Sequence, residues 1–230
     1  MNEEVFRVAE HFVSINGEGR RAGQLAYFIR FAGCNLKCDY CDTMWANEKD
    51  VECEEFTEEL LYDMIVNSGI NNITLTGGEP LLQPGMKSLL KVLRTERKLR
   101  IEIETNGSID IEPFFSEQED FIEDNVSFTL DYKTSASKME NHMCLHNYEI
   151  VRNSDVVKFV VGSKQDLDTA ADIIKRFGLI DKDCGIYLSP CFGKIEPHEI
   201  VDYIVENKLN NINVQLQLHK YIWNPDMRGV

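Results

Sequence analysis

The feature that most constrains the fold is a repeated alternation. Short runs rich in β-branched and aromatic residues, bounded by Gly, Pro, Asn or Ser, are separated by longer amphipathic stretches. Strands are expected at Ala26–Phe31, Asn72–Thr76, Arg100–Glu104, Ser127–Asp131, Val156–Val161, Gly185–Leu188 and Ile212–Leu218. Between them, Thr57–Asn67 places Leu60, Leu61, Met64 and Ile65 on one helical face, and Pro84–Glu96 does the same with Met86, Leu89, Leu90 and Leu93. Ser163-Lys164-Gln165-Asp166 resembles a capping box opening a helix through Phe177, and Pro197 suits the first turn of Pro197–Asn207. Repeated β-then-α implies a parallel sheet with right-handed crossovers. Six or seven such units in 230 residues are too few for an eight-fold barrel. The expected fold is therefore α/β: a partial, open (β/α)6-type barrel of mostly parallel strands, forming one domain over residues 1–230. The acidic, less regular Ile109–Asn125 reads as a surface insertion.

Composition excludes several classes. No stretch of about 18 apolar residues predicts a membrane-spanning helix. The start, M-N-E-E-V-F-R-V, lacks the basic region and apolar run of a signal peptide, so a cytoplasmic location is expected. A net charge of −15 opposes nucleic-acid binding and a polybasic membrane anchor, and an anionic substrate would need locally placed cations. The seven cysteines are odd in number and irregular in spacing, which favours metal or redox chemistry over a disulfide framework. Cys53, Cys144, Cys184 and Cys191 are scattered and read as buried or unremarkable thiols.

In parallel sheets the chemistry gathers at the C-terminal ends of the strands. Five motifs fall there: the cysteine run G-C-N-L-K-C-D-Y-C-D-T, Gly77-Gly78-Glu79-Pro80, Thr105-Asn106-Gly107, Asp131-Tyr132-Lys133 and Ser189-Pro190-Cys191. Thiolates at the x3 and x2 spacing of Cys34, Cys38 and Cys41 can wrap three corners of an iron–sulfur cube, leaving the fourth iron open to a small molecule. The alternatives are a zinc site completed by a distant ligand such as Cys53, or idle thiols; structural zinc usually shows a second C-x2-C pair, which this chain lacks. In G-G-E-P the glycines let backbone approach a ligand, and the extended residue before proline presents Glu79 and the Gly78 carbonyl outward as acceptors for an ammonium group. The alternative is an ordinary strand-to-helix turn.

C-x3-C-x2-C after a strand, with the aromatic Tyr40 before the last cysteine and G-G-E-P downstream, resembles the radical S-adenosylmethionine enzymes. The resemblance implies that a [4Fe–4S] cluster on Cys34, Cys38 and Cys41 chelates S-adenosylmethionine through its amino and carboxylate groups and cleaves it reductively to a 5′-deoxyadenosyl radical. Tyr40 would meet the adenine, and Gly78 and Glu79 the methionine amino group, with Glu104 a weaker candidate of the same kind. Asp131, Tyr132 and Lys133 stand where the family often has S-P-K, and Ser189, Pro190, Cys191 and Phe192 where relatives carry a Q-P or M-P motif, so both segments are carried over as contacts to S-adenosylmethionine.

S-I-N-G-E-G at 14–19, Arg30 in F-I-R-F-A-G-C, Cys41-Asp42-Thr43, T-G-G-E-P from Thr76, I-E-T-N-G at 103–107 and Q-L-H-K-Y at 217–221 are similar to the 7-carboxy-7-deazaguanine synthase family over nearly the whole chain. The implied reaction is a magnesium-assisted radical ring contraction of 6-carboxy-5,6,7,8-tetrahydropterin with loss of ammonia. By resemblance Ile15, Asn16 and Gly17 offer backbone groups, with Glu18, to the guanidine-like edge of the pterin, and Thr76 contacts substrate. Arg30 would hold the substrate carboxylate with its fork, the alternative being a salt bridge. Thr43 would ligate Mg2+, although the sequence alone favours a helix N-cap. Pro225 matches a chain-terminal proline that touches substrate in some relatives, but five residues follow it here. The resemblance also implies a homodimer and an electron donor such as flavodoxin. Two other readings remain at this stage: a glycyl-radical activase, which shares the cysteine and G-G-E-P motifs, and a zinc-stabilised binding module.

Overall fold

Parallel pairing organises the molecule. The computed structural model describes residues 5–48, 50–116, 124–225 and 227–230. Its strands are β1 (Phe6–Ile15), β2 (Leu25–Phe31), β3 (Glu54–Phe56), β4 (Asn72–Gly77), β5 (Arg100–Thr105), β6 (Val126–Tyr132), β7 (Val156–Val161), β8 (Gly185–Pro190) and β9 (Asn213–Val214). They form one sheet in the order β3-β1-β2-β4-β5-β6-β7-β8-β9. From β2 to β9 every neighbouring pair is parallel, whereas β1 runs antiparallel to both β2 and β3. The sheet ends on β3 and β9 rather than closing, so the barrel is open, as expected.

The helices are α1 (Glu58–Asn67), α2 (Met86–Leu93), α3 (His146–Ile150), α4 (Lys164–Arg176), α5 (Pro197–Asn207) and α6 (His219–Ile222). Thr57 caps α1 by accepting from the Leu60 N–H, and Ser163 caps α4 by accepting from the Asp166 N–H. Pro197 occupies the first turn of α5, behind a reciprocal Glu196–Glu199 capping box. The apolar face of α2 buries Met86, Leu89, Leu90 and Leu93 as expected. In α1 only part of the expected face is inside: Leu61 and Ile65 are buried, while Leu60 is 56% exposed. No helix among the described residues is long and apolar enough to cross a membrane.

Four expectations needed correction. β1 was not foreseen because a register shift between Val8 and Glu10 breaks the period-two pattern that marks a strand. The run Ile212–Leu218 is a strand only at Asn213–Val214; the Gln215 N–H still donates to the Leu188 carbonyl, while its side chain and the Leu218 N–H bond to the 16–24 turn. The Pro84–Glu96 helix begins at Met86, with Gly85 as its N-cap, after a separate 3-10 turn at Pro80–Leu82. The Ile109–Asn125 segment is not simply a surface insertion: Ile111 and Phe114 are buried in the core, and Asn147 accepts from the Ile111 N–H. Residues 117–123 of that segment lie outside the described residues.

Candidate active site

A cavity of about 800 Å³ opens at the C-terminal ends of the parallel strands. The cysteine loop leaves β2 and is seated by the G-G-E-P turn leaving β4. Gly78 N–H donates to the Phe31 carbonyl at 3.0 Å, and Glu79 N–H to the Gly33 carbonyl at 2.8 Å. A Cβ on Gly77 would stand 2.3 Å from the Phe31 oxygen, and one on Gly78 2.0 Å from the Gly33 oxygen. The close approach of the end of β2 and the start of the cysteine loop therefore requires both glycines. Gly78 still lines the cavity.

Cys34, Cys38 and Cys41 all line that cavity. Cys34 Sγ accepts from the Leu36 N–H at 3.4 Å and from Asn106 Nδ2 at 3.5 Å. Burial pushes the Cys38 thiol up to about 11 and raises Cys34 as well, so iron must displace their protons on binding. Three thiolate donors from one loop fit the three protein-held corners of an iron–sulfur cube. Two buried polar atoms on cavity residues, Tyr40 Oη and Asn47 Oδ1, have no protein partner and suit a polar ligand.

Glu79 departs from expectation. Its backbone is extended before Pro80, but the side chain turns inward and is 0% exposed. Oε1 accepts from the Leu81 N–H at 3.1 Å and from Thr105 Oγ1 at 2.9 Å, and Oε2 accepts from the Asn106 N–H at 2.7 Å. It staples the β4 turn to the β5 turn. Burial nevertheless pushes its carboxyl up to about 7, against the pull of those donors. Glu104 lines the cavity, and burial likewise raises it to about 7.

A ladder of alternating charge crosses the interior. Glu18 rises from the 16–24 turn, which closes the floor: Gly19 and Gln215 exchange hydrogen bonds at 2.8 and 2.9 Å, and Leu218 N–H donates to the Gly17 carbonyl at 3.1 Å. Glu18 accepts from Ser189 Oγ at 3.1 Å, Gln217 Nε2 at 3.2 Å and Lys158 Nζ at 3.2 Å. Lys158 Nζ also lies 3.2 Å from Asp131 Oδ1, and Lys133 Nζ lies 2.5 Å from Asp131 Oδ2. Burial alone would raise Asp131, but Lys133 and Lys158 hold it below the usual carboxylate range. Burial would lower Lys158, but Asp131, Glu18 and Glu104 keep it well above the ordinary value and charged.

On the opposite wall, Phe12 and Phe28 stack with ring centroids 5.0 Å apart beside Arg30. Arg30 Nε donates to Glu10 Oε1 at 2.7 Å, so the expected salt bridge exists, yet the guanidinium still lines the cavity. Thr43 precedes the 3-10 turn Met44–Asn47 but makes no side-chain cap; its hydroxyl lies 3.6 Å from Cys41 Sγ. Pro225 lines the cavity, and so do Met227 to Val230, with Arg228 stacked 4.0 Å over the Trp45 ring.

The cavity thus collects Ile15, Gly17, Glu18, Arg30 and Thr76 from the expected substrate set, with Tyr40, Gly78, Glu104, Asp131, Lys133, Cys191 and Phe192 from the expected cofactor set. Five expected residues lie behind its wall. Asn16 spends its backbone N–H on Gln24 and its carbonyl on Gly23, closing the hairpin, and its Oδ1 accepts from Thr74. Glu79 is the staple, and Ser189 reaches the cavity only through Glu18. Tyr132 points to the outer face against Tyr148 and Phe159, and Pro190 pairs beside Val161. Lys158, Gln217, His219 and Lys220 line the cavity without an assigned role. The Q-L-H-K-Y run marked three of them; Lys158 left only the oddity of a lysine inside an apolar strand.

Residues 28–132, from β2 through β6, match the family model described as the Radical SAM superfamily. The three-thiol rim on an open parallel barrel defines this chain as a radical S-adenosylmethionine enzyme, whose family implies a [4Fe–4S] cluster and S-adenosylmethionine. A curated relative from Clostridium acetobutylicum, named 7-carboxy-7-deazaguanine synthase, is 52% identical over 225 residues, covering 98% of this chain and 99% of the relative. One of the same name from Chlorobaculum tepidum is 34% identical over 231 residues, covering 99% of each. The chain belongs to the 7-carboxy-7-deazaguanine synthase family. The crystal structure of QueE from Escherichia coli shares the fold, with a TM-score of 0.72 over 92% of this chain and 93% of that one at 20% identity.

Proposed function

We infer that this enzyme converts 6-carboxy-5,6,7,8-tetrahydropterin to 7-carboxy-7-deazaguanine with loss of ammonia, in 7-deazapurine and queuosine biosynthesis. The observation that carries this reading is a single cavity lined by three thiols, an arginine and an anchored carboxylate. When bound, the cluster and S-adenosylmethionine supply hydrogen-atom abstraction. The chain's own residues bind, orient and shield. Cys34, Cys38 and Cys41 hold the cluster, and Tyr40 with Asp131 and Lys133 borders the cofactor.

Arg30 binds the substrate carboxylate. Its bond to Glu10 through Nε fixes the plane of the guanidinium and leaves the terminal nitrogens for a fork. Glu18 is held by three donors from β7, β8 and the C-terminal segment, which aim it at the N–H edge of the pterin. Thr43 contributes one oxygen to Mg2+, which ordinarily keeps several waters and takes few protein ligands. An electron donor such as flavodoxin, a homodimeric assembly and a cytoplasmic setting complete the reading.

Anaerobic incubation with the tetrahydropterin, S-adenosylmethionine and a reductant tests it, with and without magnesium. Deazapurine product is expected, and its absence overturns the assignment in favour of another radical activity such as a glycyl-radical activase. Iron and sulfide content separates both from a zinc module: about four irons per chain are expected, and one zinc without iron would remove the cluster.

A further inference from the structure

Lys158 sits in the middle of β7, in V-V-K-F-V-V, and is 7% exposed. A lysine in a strand buried on both faces is costly unless its charge is matched. Here two carboxylates match it, one from a turn and one from the neighbouring strand. Glu18 comes from the turn between β1 and β2, and Asp131 stands directly across from Lys158 in the β6–β7 register. Asp131 continues the ladder to Lys133, which Tyr40 and Cys38 of the cysteine loop face.

We propose that Lys158 is a positioning residue that couples the two ligand sites, so that substrate on Glu18 and S-adenosylmethionine beside Asp131 and Lys133 each tighten the binding of the other. The inference rests on the substrate reading above. Its physical content is a shared ammonium. Ordering Asp131 fixes Lys158, and a fixed Lys158 fixes Glu18. Whichever ligand binds first bears the cost of ordering the ladder, and the second binds a site already arranged. Neither ligand needs to touch Lys158.

The test uses cluster-loaded enzyme with the cluster oxidised, so that both ligands bind without turnover. The Kd for S-adenosylmethionine is measured by equilibrium dialysis with and without saturating 6-carboxytetrahydropterin. In the native enzyme the pterin is expected to tighten S-adenosylmethionine by about fivefold or more. Lys158→Met is expected to reduce that effect to about twofold or less, and Lys158→Arg to restore part of it. Loss of stability in Lys158→Met with the coupling intact would make Lys158 merely structural and overturn the proposal, as would native enzyme with no coupling. Should Lys158→Met fail to fold, Asp131→Asn serves: it is expected to weaken pterin binding at the far end of the ladder, and an unchanged pterin Kd overturns the proposal. Failure of the substrate reading looks different, since the native enzyme would then bind S-adenosylmethionine but neither bind nor convert the pterin, and both inferences fall.

Discussion

Arg30 donates through Nε to Glu10 at 2.7 Å, on adjacent antiparallel strands, and no hydrogen bond runs from its terminal nitrogens to a described residue. One edge of the guanidinium is spent on aiming the other. Arg30→Ala should raise the pterin KM about 10- to 100-fold, the loss expected for a charge-assisted bond of about 1.5–3 kcal/mol. Iron content should not change. Arg30→Lys should rescue little, because an ammonium cannot keep the Glu10 bond and present a planar fork as well. Loss of iron in Arg30→Ala would show that the residue holds the cluster loop instead.

Gly78→Ala should damage the cluster site before it affects substrate. The added methyl would press on the Gly33 carbonyl, which begins the cysteine loop and receives the Glu79 N–H. A destabilisation of more than about 1 kcal/mol is expected, with reduced iron after anaerobic reconstitution. Full iron content at native stability would show that the loop yields freely.

Thr43→Val separates two roles by stability. Removing a working N-cap hydroxyl costs about 1 kcal/mol, but the Thr43 hydroxyl caps nothing. The melting temperature should therefore hold while the stimulation of product formation by Mg2+ is lost. An unchanged magnesium response would clear Thr43 of the metal.

Glu104 gives stability a pH dependence of known sign. The folded carboxyl keeps its proton up to about 7, because of burial, while the unfolded one releases it near 4.5. Between those values the native state binds more protons, so stability falls as pH rises. Glu104→Gln should flatten that fall in cluster-free protein, measured by chemical denaturation at pH 5 and pH 7.5 (about the limits of the window). An equal slope in both proteins would mean that Glu104 is ionised throughout.

Much of the frame was legible because parallel strands announce themselves. Val156–Val161 reads as an apolar β-branched run, and all six of its residues are buried. The cysteine spacing was equally plain, since three thiols on eight residues restrict the chemistry to a few choices. What escaped was long-range pairing. Nothing local to Gln215 says that its side chain will bond with Gly19, and nothing local to Glu79 says that Asn106 will draw its carboxylate inward. Lys158 was hidden for the same reason: both of its counter-charges lie far away in sequence, so its pattern reads only as an interruption. Arg30 and Thr43 were legible as chemistry but not as geometry, because a salt bridge and a cap were equally natural fates for them.

The floor joining Gly19 to Gln215 spans 196 residues. Every thiol of the cysteine loop is synthesised within the first 41 residues, whereas the partners that steady Glu18 come last. During synthesis the two halves of the site therefore mature far apart in time. A chain stopped before Gln215 would possess its metal-gathering loop without a floor against which to orient a substrate. The order of the sequence alone delays a closed reaction chamber until nearly the whole chain exists.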